Sequence, residues 1–253
     1  MRDATERRGG RRPSTVRATA PVDANEPPHL PLLEESGDVQ HLEKRPTWRG
    51  WIHAVTAPVA VVAGLVLVAL ADGPEARWAS VVFAITSVLL FGNSALYHRV
   101  DWSPKVKRAL KRVDHANIFL LIAGTYTPLS LLALPPEQGV VLLCIVWAGA
   151  LLGIAFRVFW VGAPRWLYVP IYVGLGWAAV VYFGPLYAAN AAMMILVLIG
   201  GILYTVGALV YGLKRPNPFP GRFGFHEIFH TCTVLAFLCH WTAPLLIALH
   251  PLG

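Results

Sequence analysis

Residues 51–71 read WIHAVTAPVAVVAGLVLVALA, a run without one Asp, Glu, Lys or Arg. An α-helix needs about 20 mostly apolar residues to cross a hydrocarbon core of about 30 Å, and this run supplies them. Six further runs of similar length follow, at about 78–98, 113–134, 139–159, 166–186, 190–212 and 225–249. Turn-forming residues separate them: Asp72-Gly73-Pro74, Ser103-Pro104, Pro135-Pro136, Gly162-Ala163-Pro164 and Arg215-Pro216-Asn217-Pro218. The break near Gly184-Pro185 is the weakest, because its flanking runs almost merge. An isolated strand would leave backbone polar groups unsatisfied in lipid, and the period-2 alternation of a barrel is absent. The expected fold class is therefore all-α, a bundle of seven transmembrane helices.

The composition agrees. Of 253 residues, 56% are hydrophobic and 14% charged, where a soluble domain averages about 45–50% and about 25%. The charge is unevenly placed: residues 1–49 carry 17 charged side chains and the remaining 204 residues carry 18. Residues 1–46, rich in Arg, Pro, Glu and Gly, cannot bury enough apolar surface to offset their ordering entropy, so a disordered tail is expected there and a membrane domain over 47–253. Arg7, Arg8, Arg11 and Arg12 could touch anionic lipid, although a solvated tail is the simpler reading. The tail has no continuous apolar segment, so no cleavable secretory signal is expected. Cys144, Cys232 and Cys239 all lie in apolar runs, and an odd number cannot pair fully; small buried hydrophobes are expected.

The net charge of +7 is a topology signal rather than a nucleic-acid signal. With the tail inside, 20 of the 21 Lys and Arg fall on the inner segments: nine in the tail, six in 99–112, then Arg157, Arg165, Lys214, Arg215 and Arg222. Only Arg77 falls outside. The excess of cations on cytoplasmic segments predicts a cytoplasmic N-terminus and a C-terminus outside, and the inner (plasma) membrane is the expected location. Membrane lipids are the expected partners.

Ionisable side chains at bilayer depth are costly, so each one is a functional candidate. His98 ends span 2, with Ser94 one turn earlier. Asp114 opens span 3. His226, Glu227 and His230 open span 7. The alternation of spans puts all of these at the inner face. His226 and His230, at i and i+4, share one helix face, and His98 offers a third nitrogen. Three His with an open fourth position form a catalytic zinc arrangement, with Asp114 placed to hold or deprotonate water. Other readings exist. Asp114 in a first helical turn would be stabilised by the helix dipole alone, or by Arg99, Lys111 or Arg112. Ser94 can bond to its own helix backbone.

Ser94-Ala-Leu-Tyr-His98, Asp114 at the start of the next span, and His226-Glu-Ile-Phe-His230 on the last resemble the hemolysin III group of the progestin and adipoQ receptor (PAQR) superfamily. The resemblance covers about residues 48–250. It implies a seven-helix bundle with an inside N-terminus, Zn2+ held by His98, His226 and His230, and Asp114 and Ser94 around that ion as catalytic candidates. Wider relatives resemble alkaline ceramidases, which are lipid amide hydrolases. The family often carries E-x2-N-x3-H before span 1; Glu43 and His53 stand here at another spacing, without the Asn.

His226-Glu-Ile-Phe-His230 also spells H-E-x-x-H, the pattern of a zinc protease whose Glu is the base. No acidic ligand follows it, so Glu227 is better placed as a cap of span 7 or a partner of Arg222. His53 could be a polar neighbour of the site or an interfacial residue beside Trp48 and Trp51, and the aromatic belt is the favoured reading. His240 lies too far along span 7 to share the ion, and His115 faces away from Asp114. Gly149, Gly153, Gly200, Gly201 and Gly207 are expected to permit close helix packing. A transporter is disfavoured because no span is clearly broken midway. The functional expectation is zinc-dependent hydrolysis of a lipid amide or ester. The alternative is a receptor or membrane-homeostasis protein with a structural zinc. Cytolysis, which the family name suggests, fits a seven-span membrane protein poorly.

Overall fold

The computed structural model describes residues 46–249. All but the last residue of the expected tail, and Glu43 with it, lie outside the described residues. Within them the helices are α1 (Trp51–Leu70), α2 (Gly73–Arg99), α3 (Pro104–Ala133), α4 (Pro136–Phe159), α5 (Arg165–Gly176), α6 (Phe183–Ala189), α7 (Ala191–Leu213) and α8 (Phe225–Ala248). Seven segments are long and apolar enough to cross a membrane; the fifth, Arg165–Ala189, joins α5, a 3₁₀ turn (Ala178–Tyr182) and α6. The chain is a multi-pass membrane protein.

Helix starts follow local chemistry. Pro74, Pro104 and Pro136 sit in the first turns of α2, α3 and α4, where a missing N–H costs nothing. Asn190 caps α7, its Oδ1 accepting from the Met193 N–H at 2.9 Å. Two boundaries differ from the hydropathy pattern. α2 begins at Gly73 and α3 at Pro104, so most of the basic link expected over 99–112 is helix. Lys, Arg and Leu are good helix formers, and a helix does not have to stop where its apolar stretch does.

The fifth span corrects a second expectation: it is broken midway. Tyr126 of α3 enters the ladder, its hydroxyl donating to the Gly176 carbonyl at 2.7 Å and accepting from the Ala179 N–H at 2.8 Å. A neighbouring side chain thus satisfies backbone groups that the break frees, as lipid demands.

α3 is the central helix, packed against α2, α4, α5, α6 and α8. The outward surface is apolar, with Val55, Val62, Leu65, Leu152 and Val181 exposed as lipid-facing residues. Several buried hydroxyl residues bond back to their own helices, as Ser87 does to Phe83 O at 2.7 Å and Thr127 to Ala123 O at 2.9 Å. Cys144 is exposed on α4, contrary to the buried position expected, because it lies on the outward face where apolar residues meet lipid; Cys232 and Cys239 are partly buried.

Glycines let the helices approach. A methyl at Gly153 would collide with the Phe119 ring, one at Gly200 with His240, and one at Gly149 with Leu175; Gly201, by contrast, has room. Gly124 of α3 lies against Thr86 of α2 with no space for a Cβ. Gly124→Ala is expected to overpack this crossing and cost about 1–3 kcal/mol, read as a lower thermal midpoint in detergent.

The ends of the bundle are set by pairing across the chain. The Asp72 N–H donates to Ala248 O at 2.8 Å, bringing the α1–α2 turn to the C-terminal end of α8. At the opposite end, the Thr47 and Trp48 N–H groups donate to Gly221 O and Arg222 O at 3.2 and 3.3 Å. The segment before α1 therefore lies beside the loop that leads into α8.

Candidate metal centre

Three histidines converge at that second end. His98 lies in the last turn of α2, and His226 and His230 lie one turn apart at the start of α8. One ligand nitrogen from each falls within 4.8 Å of the others. His98 Nε2 and His226 Nε2 are 3.3 Å apart. Two imidazole nitrogens at about 2.0–2.1 Å from one tetrahedral ion would stand about 3.3–3.4 Å apart. The spacing thus fits a shared ion, and a donor set of nitrogen alone suits a transition metal better than calcium or magnesium. His98 and His226 are half-buried and His230 is buried.

Asp114 is brought to the same region, but not as the opening residue of its helix. α3 starts at Pro104, so Asp114 sits in its third turn, beyond the reach of the N-terminal dipole. Its carboxyl lies near the Ser94 hydroxyl, from the turn of α2 that precedes His98. Ser94 is buried and faces the site rather than its own backbone.

Ser94 has a second partner. His53 Nδ1 lies 2.8 Å from Ser94 Oγ, and the His53 ring stacks on His230 at 3.7 Å between centroids and 8° between planes. His53 is 3% exposed. The interfacial position expected for it is therefore wrong: burial against Phe91 and His230 removes it from the aromatic belt.

Glu227 is fully committed elsewhere. Oε2 accepts from the Gly224 N–H at 2.9 Å, capping α8 as expected. Oε1 accepts from Arg49 Nε at 2.6 Å, so its charged partner is Arg49 and not Arg222. Both oxygens are engaged and the side chain is 1% exposed, which leaves no free base of the H-E-x-x-H kind. Gly50, at φ +80°, then lays the backbone on His98; a Cβ there would come within 2.6 Å of the His98 Cβ.

Among the described residues, the remaining histidines, His240 and His115, bond to backbone carbonyls instead. His240 Nε2 lies 3.1 Å from Val197 O, and His115 Nδ1 lies 2.7 Å from Lys111 O. His250 lies outside the described residues.

Residues 42–241 match the family described as Haemolysin-III related. The chain belongs to the haemolysin-III related family. It is 36% identical over 183 residues to the hemolysin-3 homolog of Bacillus subtilis, covering 71% of this chain and 83% of that protein. It is 36% identical over 182 residues to hemolysin-3 of Bacillus cereus, covering 70% and 80%. The adiponectin receptor protein of Drosophila melanogaster is 27% identical over 180 residues, covering 63% of this chain and 40% of the receptor.

Within this haemolysin-III related chain, pattern reading missed Arg49 and Gly50 and favoured the wrong place for His53. One signal could have found two of them. Registered on His53, the pattern E-x2-N-x3-H falls on Pro46, Arg49 and His53. The Asn position thus carries the arginine that pairs with Glu227.

Proposed function

We propose that the protein is a zinc-dependent hydrolase of a lipid amide or ester. The observation that supports this reading is the three-imidazole cluster, with His53 stacked on His230 and bonded to Ser94, and the Asp114 carboxyl near that serine. His98, His226 and His230 would hold the ion. Zinc bound there supplies the Lewis acidity that polarises a carbonyl and acidifies water. Asp114 takes the proton from the attacking water and passes it to the leaving amine or alkoxide as the acyl C–N or C–O bond breaks. Ser94 holds the carboxylate in its working position. Glu227 takes no part, since both its oxygens are engaged.

Lipid is the proposed substrate class because every residue of the centre belongs to a membrane-spanning helix, which an acyl chain can approach from the bilayer. The Lys and Arg distribution supports an N-terminus in the cytoplasm, so the centre would serve the cytoplasmic leaflet.

The test is direct. Purified, zinc-loaded protein is incubated with a panel of ceramides and phospholipids, and released fatty acid is measured. Asp114→Asn should lower turnover by about 10²–10⁴-fold while zinc content and thermal stability hold. No zinc-dependent release from any lipid would overturn the hydrolase and leave the metal a structural role in tying α2 to α8.

A further inference from the structure

His53 stands outside the ligand set, yet it touches both halves of the centre. Its ring face lies on His230, and its Nδ1 reaches Ser94, a hydroxyl that lies near Asp114. We infer that His53 is a positioning residue that fixes the direction of the Ser94 hydroxyl, and through it the Asp114 carboxylate; this rests on the hydrolase reading for its consequence in turnover.

The chemistry of the three groups decides the direction. In its ionised form Asp114 can only accept, and in that form it draws the single proton of the neighbouring Ser94 toward itself. Ser94 Oγ is then left as an acceptor toward His53, and the 2.8 Å contact requires a proton on Nδ1. His53 therefore donates, Ser94 relays, and Asp114 accepts. With the imidazole donor in place, the serine cannot turn its proton away, and the carboxylate keeps one rotamer. The same residue also buttresses His230 by stacking, and the two roles can be separated by substitution. Phenylalanine keeps a ring against His230 and loses the donor. Asparagine places an amide N–H where Nδ1 stands and loses the stack. Glutamine carries its amide further out, toward the Nε2 position.

Two measurements test this. The first needs no activity: the 15N imidazole spectrum of protein in bilayers, with the His53 signal assigned by its loss in His53→Asn. A neutral ring protonated at Nδ1, and perturbed by Ser94→Ala, is expected. A proton on Nε2, or a signal indifferent to Ser94→Ala, overturns the inference. The second is turnover at saturating zinc. His53→Phe should lose about 10–100-fold in kcat with KM and zinc affinity nearly unchanged, as removal of an outer hydrogen-bond partner does. His53→Asn should recover most of kcat, and His53→Gln should not. Equal activity of His53→Phe and wild type, or of the Asn and Gln variants, overturns the positioning role. If wild type hydrolyses no lipid, the proposed function fails, and the imidazole spectrum still decides the hydrogen-bond direction.

Discussion

Replacing His226 by alanine is expected to remove stoichiometric zinc from the purified protein while the helix bundle stays folded. His226 supplies the nitrogen that stands 3.3 Å from His98 Nε2, so its loss breaks the pair whose spacing best matches a shared ion. Loss of an outer partner typically weakens metal binding about 10–100-fold, and loss of a direct ligand should exceed that. The fold should survive because the side chain is half-buried at a helix end, where it meets Tyr211 and Phe229 rather than the packed centre. Metal analysis with a competing chelator gives the affinity, and far-ultraviolet circular dichroism checks the helices. His240→Ala is the matched control. It lies on the same helix, bonds to Val197 O and packs on Gly200, so it should lower thermal stability and leave zinc alone. Equal zinc in wild type and His226→Ala, or none in carefully loaded wild type, would overturn the metal centre.

The bundle was legible because lipid imposes a blunt rule: a helix needs length and apolarity, and 51–71 already has both. The three clustered histidines were legible for the complementary reason. Few ionisable residues stand at bilayer depth, and topology alone assigns His98, His226 and His230 to one end. Long-range contacts were less visible. His53 and Ser94 are 41 positions apart, and nothing near His53 distinguishes a buried imidazole from an interfacial one beside two tryptophans. The break in the fifth span depends on Tyr126 from another helix, so its own apolar sequence gives no warning. Asp114 was placed too near a helix start because the basic stretch before it is hydrophilic, and hydropathy marks where a membrane begins rather than where a helix does.

The other large effect is expected at Arg49, whose pairing with Glu227 spans 178 positions. Arg49→Met should destabilise the protein by about 3–5 kcal/mol, because it leaves a buried carboxylate without its cation. The Glu227 side chain is 1% exposed and keeps only the Gly224 N–H, whereas Arg49 is 26% exposed and can turn to solvent. The two halves of the pair are therefore unequal. Glu227→Gln, which retains a capping oxygen and removes the buried charge, should cost only about 1–3 kcal/mol. Arg49→Met combined with Glu227→Met should recover part of the loss, since replacing both partners removes the uncompensated charge. Thermal unfolding in detergent orders the variants, and equal destabilisation by the two single substitutions would show that the charge is not held as described. The same set separates two assignments of the base. Glu227→Gln, loaded with zinc at a temperature where it is folded, should still turn over lipid, while Asp114→Asn should not. The reverse result would move the base to α8 and revive the H-E-x-x-H reading. The expected order follows from occupancy: Glu227 spends one oxygen on the helix N-terminus and the other on the segment before α1, and Asp114, held through a single hydroxyl, is the carboxylate left to exchange a proton.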